Sequence, residues 1–326
     1  MRAALLGAVT NAFFATAGAY GLSLTGFWLL RGLTGESLNS VALMNNIVHL
    51  MLLLSLPLFA VTLLARRWTA TVALLMPVII ALNAYLPLFT GTPPPPPAGP
   101  TLTVLTNNIQ ARDSDYAGTI DVILEADADI VAVQEYWQIA RRTMEPALAE
   151  AYPYVATHIG DSPVQGQALF SRYPILEDEY IVGSVPVRFG HQRTRLDIDG
   201  TEIVIYNVHP VHPLVTNLDT SLRTADVEDV LQRARAEDAP TIIMGDFNLT
   251  PFTGDYARIA ADYTDAFRVV GRGLGYTFPA GGALPPLARI DYVFYDDHWT
   301  AASARVWPRS GGSDHHPIYA ELVLAP

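Results

Sequence analysis

The chain reads as an α/β protein: one layered domain of strands and helices, carried behind three membrane-spanning helices. Three observations predict this. The apolar excess is confined to the first ninety residues. After Thr101, apolar runs of strand length alternate with amphipathic helical stretches. Several of those runs end in Asn, Asp, Glu or His, the residue types that ligand sites in layered α/β folds collect at strand ends.

The first ninety residues come first in the chain and in the argument. Half of the 326 residues are hydrophobic and the mean hydropathy is +0.24, high for a soluble enzyme. No charge falls between Arg2 and Arg31, and residues 41–65 and 68–90 are two further apolar stretches. Each is long enough for a helix to cross about 30 Å of hydrocarbon, which takes about 20 residues. All three are apolar nearly all round, whereas helices of a soluble bundle keep a polar face. The first stretch also fits a cleaved signal peptide, with Arg2, an apolar run and the small residues Ala15-Thr16-Ala17. Arg66-Arg67, between the second and third stretches, belongs on the cytoplasmic side by the positive-inside rule. The expectation is therefore a multi-pass cell-membrane protein whose domain after Thr90 is extracytoplasmic. A cleaved signal leaves that side unchanged. Asn45, Asn46 and His49 read as helix-interface or interfacial residues rather than an intramembrane site.

The boundaries follow: residues 1–90 as membrane anchor, 91–100 as linker, 101–326 as the α/β domain. Pro93 to Pro97, closed by Ala98-Gly99-Pro100, favours stiff polyproline II. Cysteine is absent, which excludes disulfides, thiolate metal sites and cysteine nucleophiles. The net charge of −12 hides a split, because only four arginines and one glutamate precede the proline run; the remainder holds 16 basic and 31 acidic residues, a net of −15. Long nucleic acid, bound through Lys/Arg contacts to phosphates, is thus a poor substrate or partner for this domain. A bound cation offsets such repulsion locally for a small phosphate ester.

Along the domain the strand ends look alike. Leu102–Leu105 runs into Asn107-Asn108, Ile130–Val133 into Gln134-Glu135, and Ile203–Tyr206 into Asn207-Val208-His209. The buried run Thr241–Met244 ends at Gly245 and is followed by Asp246 and Asn248, whose spacing of two puts both side chains on one face of an extended chain. Ile290–Phe294 carries Asp291 near its start. Gly311-Gly312-Ser313 leads into Asp314-His315-His316 ahead of the apolar Ile318-Tyr319-Ala320. A helix spans Asp219 to Glu237, with Leu222, Ala225, Val230, Leu231 and Ala234 on its buried stripe. A carboxylate and a carboxamide at a strand end suit a hard cation or a positioned water; in isolation the same residues make an ordinary turn.

Taken in order, Asn108, Gln134-Glu135, Ser171-Arg172-Tyr173-Pro174-Ile175, His209, Gly245-Asp246-Phe247-Asn248, Arg289-Ile290-Asp291-Tyr292 and Ser313-Asp314-His315 resemble the endonuclease/exonuclease/phosphatase superfamily over nearly all of 101–324. The resemblance implies a four-layer sandwich, two mixed β-sheets face to face with helices outside. The membrane part lies outside it, although that arrangement is similar to membrane-anchored, VanJ-like bacterial members. The chain departs from the family pattern at Asn107, at Gln110 and at Gly166-Gln167-Ala168, where many members read Gly-Asn-Ala.

The resemblance also implies roles. Glu135 is the principal ligand of a divalent metal, with Asn108 beside it and Asp314 extending the shell; all-oxygen ligation suits Mg²⁺ or Mn²⁺. Asp246 and Asn248 orient or deprotonate the attacking water. His315, paired with Asp291, is a base or transition-state stabiliser, and His209 hydrogen-bonds a phosphate oxygen. His209, His212, His315 and His316 could instead hold zinc, but the surrounding oxygen donors favour a hard cation. Arg193 and Arg195, at a spacing of two, either hold a substrate phosphate or line a solvated edge strand. The expected activity is a membrane-anchored, divalent-metal-dependent phosphoesterase, acting outside the cytoplasm on a phosphate ester of membrane lipid or a phosphorylated small molecule. A metal-dependent extracellular nuclease and a catalytically silent binding module are the alternatives. No protein partner can be inferred from the sequence.

Overall fold

The computed structural model describes residues 1–91, 95, 98–111, 116–160, 162–182 and 190–325. The linker prolines Pro93, Pro94, Pro96 and Pro97 lie outside the described residues. The chain divides into two compact units, Met1–Gly91 with Phe252–Gly254, and Thr92–Pro251 with Asp255–Pro326.

The first unit is helical: α1 (Arg2–Thr34), α2 (Asn39–Asn45), α3 (Val48–Leu64), α4 (Trp68–Tyr85) and α5 (Pro87–Thr90). Two helices, Arg2–Thr34 and Trp68–Thr90, are long and apolar enough to cross a membrane. The expected middle span is broken: α2 and α3 meet at a 60° bend, so the spans number three only if that pair counts as one. The break falls at Asn46, whose Nδ2 donates to the Ala42 carbonyl at 2.9 Å and competes with the helix ladder. Small residues bring α1 and α4 together, since a Cβ on Gly21 would lie 2.5 Å from the Ala73 carbonyl oxygen. Leu5, Leu6, Leu22, Leu29 and Val72 face outward and exposed, an apolar surface that fits a lipid surround.

The second unit contains β1 (Thr101–Asn108), α6 (Ala117–Ala126), β2 (Ile130–Gln134), α7 (Gln138–Leu148), β3 (Tyr154–His158), β4 (Gln167–Ser171), β5 (Ile175–Val182), β6 (Gly190–Ile198) and β7 (Thr201–Val208). There follow α8 (Ser221–Ala234), β8 (Thr241–Asp246), α9 (Gly254–Ile259), β9 (Thr264–Asp265), α10 (Ala266–Val270), β10 (Asp291–Tyr295), β11 (Trp299–Val306) and β12 (Ile318–Leu324). They form two six-stranded sheets, in the orders β11-β12-β1-β2-β4-β3 and β5-β6-β7-β8-β10-β9. Both are mixed: β1 and β2 pair parallel, as do β7 and β8, while the other pairs are antiparallel. The sheets close face to face over Leu102, Val104, Ile130, Ile203, Ile205, Ile242 and Met244. Outside, α6 and α7 cover the first sheet through Val122, Ile123, Met144 and Leu148, and α8 covers the second through Val227, Val230 and Leu231. This is the four-layer α/β sandwich. Ile205 is fully buried at its centre, and its truncation to alanine should cost roughly 2–5 kcal/mol.

Strand periodicity explains how one core also makes a site. Side chains two apart share a face, and along the inner faces polarity rises toward one end. On β1 the inner row reads Leu102, Val104, Thr106, Asn108; on β2, Ile130, Ala132, Gln134; on β7, Ile203, Ile205, Asn207; on β8, Ile242, Met244, Asp246. The reversed β10 reads Tyr295, Val293, Asp291 toward the same end. Where apolar gives way to charged, amides bridge the sheets. Gln134 Nε2 donates to Thr106 Oγ1 (3.0 Å) and Asn207 Oδ1 (2.7 Å). Asn207 Nδ2 reaches the Val133 and Ala168 carbonyls, both at 3.1 Å, and Gln192 Nε2 reaches the Ala156 carbonyl at 3.1 Å.

Candidate active site

The charged ends of these rows converge. Asp246 ends β8 directly opposite Asp291 of β10, and Asn108 ends β1 beside Gln134. The last turn of β8 requires Gly245, at φ 150°, because a Cβ there would lie 2.0 Å from the Val208 carbonyl oxygen of the neighbouring parallel strand. Three residues around the site hold left-handed backbone: Gln110 (φ 55°), Glu135 (φ 58°) and Asn248 (φ 53°). Such conformations cost about 1–3 kcal/mol each outside glycine and gather where function fixes a geometry.

Asp246, 1 % exposed, is the hub. Its Oδ1 accepts the Asn248 backbone N–H at 2.9 Å, and its Oδ2 accepts Asn108 Nδ2 at 3.1 Å. The same Oδ2 stands 3.6 Å from His209 Nε2 and 3.8 Å from His315 Nε2. Asn108 Nδ2 also points to Glu135 Oε1 at 3.3 Å, while Glu135 Oε2 accepts the Ala111 N–H at 2.9 Å. His315 Nδ1 lies 3.0 and 3.2 Å from the two oxygens of Asp291, and the Phe278 ring packs on its imidazole at 4.9 Å. Ser313 ties the end of β1 to the loop before β12, donating to the Asn108 carbonyl at 2.6 Å and accepting the His315 N–H at 3.0 Å. Asn248 Nδ2 donates to the Pro210 carbonyl at 3.1 Å, tying its turn to the segment after His209.

Burial alone would lower the His315 pKa; the carboxylates of Asp291, Asp246 and Asp314 overcome it and hold the imidazole up at about 10. The surrounding carboxylates favour the charged form of His315, whose Nδ1 is directed at Asp291. Burial likewise raises Asp314, helped by the charges of Glu135 and Asp246 and opposed by His315. Asp314, half-buried and next to His315 in sequence, is therefore in electrostatic contact with the cluster.

A divalent cation fits this donor set. The Asn108 amide nitrogen stands between Glu135 and Asp246, at 3.3 and 3.1 Å, where a cation's charge would serve, and Asp314 feels the charge of both carboxylates. The Asn108 oxygen accepts the Gln110 N–H at 3.0 Å, and turning it toward an ion would cost that bond. Asp246, Asp291 and His315 also place one donor atom each within 4.8 Å of one another. His315 Nδ1 is engaged with Asp291, whereas the resemblance assigns the ion to the oxygen donors Asn108, Glu135 and Asp314.

Nearly every candidate from the sequence therefore meets the others. Arg193 and Arg195 do not. They lie on the outer face of β6, which is flanked by β5 and β7 and so is not an edge. Arg193 Nε and Nη2 pair with Glu237 at 2.6 and 2.8 Å, and Arg195 pairs with Glu202 and Asp238 at 2.9 and 2.8 Å. They stand apart from the cluster and do not line a solvated edge; they staple the sheet to the end of the helical layer. The stripe expected on α8 is also corrected: Ala225 is exposed and Leu222 half-buried, while Arg223 and Asp226 occupy the buried face. His212 hydrogen-bonds the Leu214 N–H at 3.1 Å and His316 the Trp307 carbonyl at 3.0 Å, both local roles.

Fold and site together define a four-layer α/β sandwich with a carboxylate–amide–histidine cluster at one end of the seam between its sheets. The chain belongs to the endonuclease/exonuclease/phosphatase family, whose model matches residues 105–315. Members of that family are generally metal-dependent phosphoester hydrolases. Solved structures agree on the fold. An endonuclease/exonuclease/phosphatase from Bacteroides vulgatus is 21 % identical, with a TM-score of 0.59 over 69 % of this chain and 99 % of that one. A family protein from Bacteroides thetaiotaomicron is 20 % identical, with a TM-score of 0.58 over 71 % and 100 %. A humanized D. rerio TDP2 is 20 % identical, with a TM-score of 0.58 over 68 % and 98 %. No curated protein matches the chain.

Proposed function

We propose that this protein is a membrane-anchored, divalent-metal-dependent phosphoesterase that hydrolyses a lipid-linked phosphate ester on the extracytoplasmic side. The observation that carries the reading is the convergence of Asn108, Glu135, His209, Asp246, Asp291 and His315 at one end of the inter-sheet cleft. The apolar N-terminal helices and the −15 balance of the remainder support a small ester near a bilayer over a polyanion.

Asn108, Glu135 and Asp314 would hold Mg²⁺ or Mn²⁺, which when bound would supply Lewis-acid neutralisation of charge on the phosphoryl group. Asp246 accepts a proton from, or orients, the attacking water, its own position fixed by the Asn248 N–H and the Asn108 amide. His315, held protonated by Asp291, presents Nε2–H to the charge that develops on the phosphoryl group. His209, on the other side of Asp246, donates to a second phosphate oxygen. Asp291 does not meet the substrate; it orients the His315 ring and favours its protonated form.

The test is hydrolysis by the full chain in lipid nanodiscs with Mg²⁺ or Mn²⁺, against a lipid phosphate, a lipid pyrophosphate, sphingomyelin and single-stranded DNA. Lipid turnover abolished by EDTA is expected. Preference for DNA would replace the proposal with a nuclease, and no turnover of any substrate would favour a binding module.

A further inference from the structure

We infer that Arg223 and Asp226, one turn apart at the start of α8, are positioning residues that lock the Asn248 turn and the His209–Val211 segment into one geometry. The inference rests on the phosphoesterase reading for the importance of those two segments. Neither residue is open to solvent: Arg223 is 0 % and Asp226 1 % exposed.

Arg223 Nη1 donates to the Asn248 carbonyl at 2.7 Å, and its Nε pairs with Asp255 Oδ2 at 3.0 Å. Asp255 is itself fully buried and held through its other oxygen by Thr224 Oγ1 at 2.9 Å and Arg258 Nη1 at 2.6 Å. The guanidinium therefore has little rotational slack. It anchors the carbonyl of a residue whose left-handed φ of 53° turns that oxygen out of the strand ladder. Three residues further along the same face, Asp226 Oδ2 accepts the Val211 N–H at 3.2 Å. The Asn248 side chain closes the figure by donating to Pro210 at 3.1 Å. Helix, turn and segment thus form a closed triangle of hydrogen bonds, with Asp246 and His209 attached to two of its sides. Stability does not account for the charges. A buried ion pair is often matched or exceeded by apolar residues of similar volume, and the rest of this helix face is Val227, Val230 and Leu231. What the fork of a guanidinium adds is a fixed direction toward one carbonyl.

The double variant Arg223→Met/Asp255→Leu removes the charges together, and Asp226→Leu removes the second tie. Each is measured as full-length protein in nanodiscs by hydrolysis of bis(p-nitrophenyl) phosphate with Mn²⁺, by melting temperature, and by hydrogen exchange at the Asn248 and Val211 amides. The double variant is expected to melt within a few degrees of wild type, lose about 10–100-fold in kcat with KM within threefold, and exchange faster at Asn248. Asp226→Leu should exchange faster at Val211, and Asp226→Asn, which keeps an acceptor there, should retain more of the rate. Unchanged exchange at both amides, or kcat within twofold of wild type in the double variant, overturns the inference. A wild type that hydrolyses none of the substrates but shows the exchange changes leaves the clamp standing and defeats the phosphoesterase reading.

Discussion

Replacing Asp246 with asparagine is the sharpest perturbation of the site, because it changes one charge and almost no volume. The asparagine oxygen can still accept the Asn248 N–H, now received by Asp246 at 2.9 Å. Its amide nitrogen then faces the Asn108 amide nitrogen, donor against donor, where a 3.1 Å hydrogen bond stood. Loss of one charge-assisted bond costs about 1.5–3 kcal/mol. For a domain of this size that is a fall in Tm of about 3–12 °C, at about 2–4 °C per kcal/mol, so the variant remains folded at 25 °C. The effect on rate is of another kind. Without the carboxylate the attacking water has no acceptor between His209 and His315, and the loss should be at least about a hundredfold in kcat, or about 2.7 kcal/mol in the barrier. Steady-state hydrolysis in nanodiscs and differential scanning calorimetry on the same preparation separate the two. A rate within fivefold of wild type would refute the role of Asp246, whatever the melting curve shows.

Arg193→Gln should do the opposite: it breaks the pairing with Glu237, lowering Tm while leaving kcat/KM within twofold. A large rise in KM would return that arginine to the substrate. Complete burial pushes the His191 imidazole down to about 4, against an ordinary value of 6.5. A depressed histidine pKa means the unfolded chain takes up protons first as pH falls, so stability is lost between about pH 6.5 and 4, by roughly 3 kcal/mol at about 1.36 kcal/mol per pH unit. Urea unfolding of wild type and His191→Phe across that range should show the difference between them shrinking or reversing as pH falls; a constant difference contradicts the assignment. A reporter active only outside the cytoplasm, fused after Thr90, should be active, and a silent one would reverse the orientation.

Much of the site was legible because strand periodicity is strict. Asn108, Gln134, Asn207 and Asp246 stand at even spacing from apolar residues of the same strand, so the polar ends point inward by parity alone. Their meeting across two sheets was not readable from spacing; it came from the family resemblance. Helix phase was less secure. On α8 the apolar stripe was drawn through Leu222 and Ala225, whereas burial follows Arg223, Asp226 and Val227. Hydrophobic pattern carries no signal for a buried charge whose partner, Asp255, lies 32 residues away. Arg193 and Arg195 misled for the same reason: spacing placed them together on one face, but not on which one, and Glu237 decided it. The bend after α2 escaped notice because Asn45-Asn46 interrupts the apolar run without a proline.

The cross-sheet bridges of Gln134, Asn207 and Gln192 act as a gasket. On one side lies the polar cluster of Asp246, Asp291 and His315; on the other, an oily seam that must stay dry. Water reaching the polar end meets a row of amides already bonded to one another and to opposing main chain. The molecule can thus tolerate a wet, breathing end without loosening its other half, and chemistry can be retuned at the rim without rewriting the seam below.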